Sequence, residues 1–586
     1  MATALIFGAS LGQAQARVII SEFLAVNDKD LKDADGDHAD WIELHNAGDA
    51  TIDLAGWALT DDAKDLAKWM FPAVKIEGGG FLLVFASGKN RAKPDGELHA
   101  SFKLGAGGEY LGLVKPDGQT VVHHFVMKYP KQRDDVSYGV PADWKPSSAS
   151  SASVIAGQVY FLRPTPGAPN GETLAGKVAK LAFNQPHGFY EEPFELSITS
   201  QTPGAQIRYT TDGSVPTEGS GQVLNGALTV GQTTVIRAAA FKPGHKPTKV
   251  VTQTYLFLKD VVRQSPDGLP PAGFHYEWGP NRVDYGMDAR VVNDERYRDK
   301  IFEGLKVIPS YSLVMDLDDL FGEEDGIYAN AKEDGRDWER SCSLELIQAD
   351  DHKGFQENCG VRIRAFRLFF RREYGPGKLK YPLLGKAAAQ EFDNLDLRTF
   401  NNYSWSLSDD PRCTFMRDQF NRDLQLAMGQ SSARGYFCHL YINGQYWGLF
   451  NACERPEASF GGSYFKGKPE DFDVIKIGRG RGRGQGNTQY GLFATDGNLD
   501  AWEQLWKVCK EGVETPAAYQ KILGNHPDGT RNPDFAVLLD AENLIDYMLV
   551  IFYGGNLITE STRFFVGAQI FTFIGWGTWY RIPVDE

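Results

Sequence analysis

One stretch constrains the fold more than any other. Phe437-Cys438-His439-Leu440-Tyr441-Ile442 is followed by Asn443-Gly444 and then by Gln445-Tyr446-Trp447-Gly448-Leu449-Phe450-Asn451-Ala452-Cys453. Two runs rich in aromatic and branched side chains, separated by Asn-Gly, are the strongest local signal for a β-hairpin. Both central residues of a type I′ turn need φ > 0, and Asn and Gly tolerate that conformation best. The sequence therefore predicts an antiparallel pair turning at Asn443-Gly444. Just beyond it, Glu454 interrupts an apolar run. A carboxylate there either faces solvent or is held by a partner.

The chain is long enough to hold more than this unit. Its 586 residues predict about three to four domains. With 63 Gly and 29 Pro, turns are frequent, which points to β-rich architecture. A formal net charge of −15 argues against non-specific nucleic-acid binding, which needs a surplus of Lys and Arg to neutralise phosphates. The cysteines, at 342, 359, 413, 438, 453 and 509, all lie in the C-terminal half. None shows C-x-x-C spacing, which argues against a zinc site. They read as buried thiols, while Cys342 and Cys359 flank an expected hairpin and are able to pair in an oxidising compartment.

Residues 1–16 read as the end of a secretory signal. The apolar core is short, and Ala14-Gln15-Ala16 fits the A-x-A cleavage rule. A positive n-region is missing, so the expectation is a start shortened upstream. No other stretch is apolar enough to span a bilayer. The expected location is secreted, or the cell envelope or periplasm.

Residues 17–140 read as a β sandwich of short strands: Val18–Phe23, Trp41–Asn46, Leu54–Asp61 and Gly80–Ala86. Within it, Asp33-Ala34-Asp35-Gly36-Asp37 has the composition of a calcium loop. The glycine and the terminal Glu are out of place for an EF-hand, so a solvated acidic loop is expected. Residues 141–178, rich in Pro, Ser, Ala and Gly, read as a linker or surface excursion. Residues 179–258 form a second β unit, with a strand at Ile207–Thr211 running into Asp212-Gly213 turn chemistry and another at Thr234–Phe241. Residues 259–305 are a charged connector, and a larger unit fills 306–586.

In that unit Ser312–Leu317 is a strand entering an acidic turn. Asp318 or Asp319 is expected to cap the turn, with a metal cluster including Asp316 as the alternative. Asp410-Pro411 reads as N-cap and first residue of a helix whose stripe is Met416, Phe420, Leu424 and Met428, ended by Gly429. Further stripes are Trp502, Leu505, Trp506 and Cys509, ended by Gly512, and Leu544, Tyr547, Met548, Ile551 and Phe552. All three are expected to face the core. Gly478-Arg479-Gly480-Arg481-Gly482-Arg483-Gly484 reads as a loop whose arginines, in a nucleotide site, would meet phosphates.

These residues carry three resemblances. The S-E-F opening, Asp40-Trp41-Ile42-Glu43-Leu44 and Leu54-Ala55-Gly56-Trp57-Ala58-Leu59-Thr60-Asp61 resemble a lamin-tail domain, which implies an immunoglobulin-like binding or spacing module. Tyr209-Thr210-Thr211-Asp212-Gly213-Ser214 with Ile236-Arg237-Ala238-Ala239-Ala240-Phe241 is similar to the C-terminal module of chitobiase and β-hexosaminidase enzymes. That module is accessory, so no glycosidase activity is implied. The Asn443-Gly444 hairpin and Glu454 resemble the core of the CotH kinase-like family. The resemblance implies an extracytoplasmic protein kinase using ATP with Mg²⁺ or Mn²⁺ and acting on Ser or Thr of envelope or coat proteins.

The family's functional positions are carried over one at a time. Glu454 matches the catalytic Glu after the hairpin. Lys476 in Asp473-Val474-Ile475-Lys476 matches a basic cofactor-binding position, with Glu454 and Arg364 beside it as nucleotide contacts. Ile582-Pro583-Val584-Asp585 resembles the family's I-P-W-D, making Asp585 a catalytic metal ligand, and Asn556 is the second metal ligand. Ile558 stands where the family has an Asp; Glu560 is nearby.

The larger departure is a phase flip. Val361, Ile363 and Ala365 alternate with Arg362 and Arg364, but from Phe366 the apolar pattern shifts by one residue. Two strands are joined without the family's phosphate-contacting loop and Lys; a β-bulge is the alternative. Lys378 and Lys380 remain downstream. The chain stops at Glu586, where a kinase-like lobe continues, which implies a shortened lobe. The fold expected is multidomain: two β-sandwich modules, then an α+β kinase-like domain. The function expected is a CotH-type kinase or a degenerate pseudokinase. The alternative is a non-catalytic envelope-binding or adhesion protein.

Overall fold

The structure, a computed structural model, describes residues 17–125, 128–144, 157–278, 281–349, 354–363, 366–399, 415–477, 492–554, 571–573 and 579–581. The signal-like segment, the Asp410-Pro411 pair, Arg364, the Arg-Gly tract, Asn556, Ile558, Glu560 and Asp585 lie outside them.

The N-terminal module is a sandwich. A five-stranded sheet that includes Val18–Leu24, Trp41–Asn46 and Phe81–Phe85 faces a four-stranded one that includes Ala58–Thr60 and Gly112–Val114. Period-two alternation sends Ile20, Ile42 and Leu44 inward against Leu59, Leu111, Leu113 and Phe125. Inside the stretch expected as a linker, Val159–Tyr160 pairs with Tyr138–Gly139 at the edge of the first sheet. The loop beyond it is tied down by two buried carboxylates. Thr165 donates from N and Oγ1 to Glu22, and Gly167 N–H donates to Glu43.

The second module is a five-stranded sheet with three small two-stranded pairs, closed over Leu196, Ile236, Ala238 and Tyr255. Hydrogen bonds join it to the third unit. Glu345 accepts from Thr254 N at 3.0 Å and His187 Nδ1 at 2.9 Å, and Thr254 Oγ1 lies 2.7 Å from Ser312 Oγ.

The third unit is a closed barrel. Its strands are β1 Ser310–Val314, β2 Arg340–Ile347, β3 Phe355–Arg362, β4 Arg367–Phe369, β5 Asn394–Arg398, β6 Gly435–Ile442 and β7 Gln445–Cys453. The order is β1-β2-β3-β4-β5-β7-β6, closed by parallel pairing of β1 with β6. Leu313, Leu344, Val361, Leu368, Leu395, Leu440 and Phe450 fill it. The β6–β7 hairpin turns at Asn443-Gly444 as the sequence predicts, with φ of 46° and 84°.

The phase flip is a hairpin. Arg362 pairs with Arg367 across a turn in which Phe366 has φ of 32°. A second small sheet beyond the barrel contains β8 Val474–Ile477 and β9 Leu492–Asp496. Against it lie the helices α2 Asp500–Glu511 and α3 Ala541–Tyr553; α1 Arg417–Ala427 precedes β6.

Three helix expectations change. The acidic turn after β1 is capped by Asp316, whose carboxylate accepts from Asp318 N–H at 3.0 Å, rather than by Asp318 or Asp319. The first helix starts at Arg417, and its apolar stripe is turned outward: Met416 is 59% and Phe420 48% exposed, while Asp418, Gln419, Asn421, Arg422 and Gln425 are buried. The surface under α1 is polar, so the polar face is the complementary one. In α3, Phe552 is 60% exposed, while Leu544 and Tyr547 pack inward. The α2 stripe behaves as expected: Trp502 and Leu505 are core, and Gly512 at φ of 107° ends the helix.

Candidate functional site

The site is built on the outer face of β5 and β7. In Asn394-Leu395-Asp396-Leu397-Arg398 the leucines enter the barrel, so the three polar residues point out. Asp396 is opposite Cys453 and Arg398 opposite Asn451. Helix α1 covers this face. Arg398 Nη1 donates to Asp418 Oδ2 at 2.8 Å, and Arg422 Nη2 reaches Asp418 at 3.1 Å and Asn451 Oδ1 at 2.6 Å. Asn451 Nδ2 donates to Gln419 Oε1 at 3.0 Å.

Past β7 the chain places Glu454 and Arg455 in different settings. Glu454 is 4% exposed, and its carboxylate accepts from the Tyr464 hydroxyl and, at 2.9 Å, from Arg434 N–H. Burial pushes its carboxyl above the usual range against those two donors. Arg455 joins Asp396 at 3.4 Å and donates from Nε to Glu457. Asn394 Nδ2 also donates to Glu457, at 3.1 Å, and Arg367 Nε lies 3.9 Å from Asp396 Oδ1.

Lys476 faces this cluster from β8. Burial pushes its ammonium down to about 8; Arg455 and Arg367 push the same way, while Glu457 and Asp496 oppose them. Asp496 on β9 is raised by burial and by Glu457. The strand Trp579–Arg581 pairs with β8 at Val474 and Ile475.

Of the residues expected from sequence, Glu454 and Lys476 are placed here, in separate surroundings. Arg364, Asn556 and Asp585 are outside the described residues. Lys378 and Lys380 pair with Asp393 and Glu391 on a small two-stranded ribbon. Sequence reasoning missed Arg367, Asp396, Arg455, Glu457 and Asp496. The period-two pattern of Asn394–Arg398, with every outward position polar, was the available signal.

Arg367, Arg455 and Lys476 form a cation set suited to phosphate oxygens. Here Arg455 is engaged by Asp396 and Glu457, and Arg367 lies beside Asp396. The cavity beside Glu454, Asn394 and Tyr464 is about 20 Å³, and that beside Arg398, Asp418 and Asn451 about 10 Å³. Each holds about one water, whereas ligand clefts run to several hundred Å³. Among the described residues the one close group of three carboxylates is Asp33, Asp35 and Asp37 in the N-terminal module. That loop is not simply solvated. Lys89 Nζ lies 2.6, 2.6 and 2.8 Å from the three carboxylates and fills the cation position itself.

The family model described as CotH kinase protein matches residues 363–557. The site lies in a region similar to CotH kinase proteins. Upstream, the Lamin Tail Domain model matches residues 12–128 and the Chitobiase/beta-hexosaminidase C-terminal domain model matches residues 185–252. The CotH-like match begins at the end of β3, so the barrel's first strands lie before it. No curated protein matches the chain significantly. Among the described residues no helix is long and apolar enough to cross a membrane.

Proposed function

We propose that the CotH-like region is an ATP-dependent protein phosphotransferase acting outside the cytoplasm on Ser or Thr of envelope or coat proteins. The observation that carries this reading is Lys476. Its half-buried ammonium, lowered to about 8 by burial and by Arg455 and Arg367, stands with those two arginines as a cation set to which a phosphate group would add the opposite charge beside Glu457 and Asp496. In this reading Lys476, Arg455 and Arg367 hold the phosphates. Asp585 and Asn556, with a divalent ion, would supply charge neutralisation at the transferring phosphoryl group. Glu454 positions the end of the hairpin through Tyr464 and Arg434.

A second reading, a non-catalytic envelope-binding protein, is favoured by one observation. The tight β3–β4 hairpin leaves no length for a phosphate-covering loop. Incubation with labelled ATP, Mg²⁺ or Mn²⁺ and a Ser/Thr-rich protein acceptor separates the two. Transfer that is lost in Lys476→Ala and Asp585→Ala supports the kinase. Absence of both nucleotide binding and transfer in the unaltered chain supports the binding protein.

A further inference from the structure

Cys342 on β2 and Cys359 on β3 are direct partners in the antiparallel register. Their sulfurs are 3.5 Å apart, and both residues are buried, at 1% and 0% exposure. Facing residues of adjacent antiparallel strands have Cβ atoms about 4.5–5.5 Å apart, close to what a disulfide spans. An S–S bond of about 2.05 Å needs the sulfurs to approach by about 1.5 Å, a side-chain rotation rather than a movement of strands. The other described thiols are placed differently. Cys438 faces Phe450, Cys453 faces Gly435, and Cys509 is on α2.

We infer that Cys342 and Cys359 are a disulfide site that staples β2 to β3. The bond forms by exchange with a low-molecular-weight or protein disulfide. One thiolate attacks the donor, the second displaces the donor thiol from the mixed disulfide, and two cysteine thiols become one disulfide as the donor becomes two thiols. Two electrons and two protons leave the protein. Burial pushes the Cys359 thiol far up, so the folded barrel is a poor place to start the exchange. The step belongs to folding, when the β2–β3 hairpin has formed but is not yet enclosed. The staple then lies between two features of the barrel. At one end of β2, Glu345 binds Thr254 and His187 of the second module; at the end of β3, Arg362 begins the tight hairpin.

The test is refolding of the full chain in a glutathione redox buffer, followed by alkylation and peptide mapping. The expected result is a linked peptide pair holding Cys342 and Cys359, with Cys438, Cys453 and Cys509 alkylated. Reductant should then lower Tm by about 5 °C or more in the unaltered chain and by nothing in Cys342→Ala/Cys359→Ala. Full alkylation of Cys342 and Cys359 after oxidative refolding, or a link to another cysteine, overturns the inference. The map is read on the unaltered chain, so it stands even if the double variant fails to fold.

Discussion

The Tyr464 hydroxyl donates a hydrogen bond to Glu454, so the last residue of the helix Ala458–Tyr464 closes over the carboxylate that ends the long hairpin. The same hydroxyl accepts from Ala389 N–H at 2.8 Å. Tyr464→Phe leaves a buried carboxylate oxygen and a backbone N–H without that partner. The expected loss is about 1–3 kcal/mol in chemical denaturation. An unchanged midpoint and slope would mean that water takes over both bonds.

Lys476 gives a pH signature. Its folded pKa of about 8 lies below its ordinary 10.5, so the unfolded chain holds the proton more tightly. The penalty is full below pH 8, where both states are charged, and fades as pH rises from about 8 to above 10. Lys476→Met should therefore stabilise the protein at pH 7 by at most about 3 kcal/mol, with the gain shrinking at alkaline pH. A gain that is constant with pH would place the effect in packing instead.

The hairpin tip joins two modules. Asn443 Nδ2 donates to Met315 O at 2.8 Å, Met315 N–H donates back to Asn443 Oδ1 at 3.0 Å, and Asp212 O lies 3.4 Å away. Gly213 has φ of 90°, and a Cβ there would sit 2.3 Å from both Asn443 Nδ2 and Met315 O. Gly213→Ala should cost about 2 kcal/mol or more and loosen the second module, seen as faster hydrogen exchange on both sides of the joint.

Arg422 links Asp418 to Asn451 beneath α1, and removing it leaves a buried carboxylate with a weakened set of partners. Arg422→Met should destabilise by about 3 kcal/mol. Phe420→Ser, on the outward face of the same helix, should cost less than about 1 kcal/mol. A reversed order would restore the apolar stripe as the buried face.

That reversal marks where the sequence is readable. Asn443-Gly444 is legible because turn chemistry is local. Trp502 and Leu505 are legible because α2 packs on an apolar sheet. The 416–428 stripe misleads because helical periodicity reports two faces but not which one is covered. Arg398 and Asn451, distant in sequence, make the polar face the buried one. Lys89 sits among the aspartates more than fifty residues before it for the same reason: long-range pairing leaves no local trace. Glu454 and Lys476 were found from motif likeness. The alternation of Asn394–Arg398 marks Asp396 as outward-facing, but its pairing with Arg455 and Arg367 became visible only once the barrel had closed.

Mg²⁺-ATP binding, measured by calorimetry from pH 7 to 9.5 on the unaltered chain and on Lys476→Met, tests the phosphate-holding role of Lys476 most directly. The expected binding weakens above about pH 8 by up to tenfold per unit, because the phosphates need the protonated amine. The variant should bind at least about tenfold more weakly and lose that pH dependence. Binding unaffected by the substitution, or no binding by the unaltered chain at any pH in this range, would contradict that role.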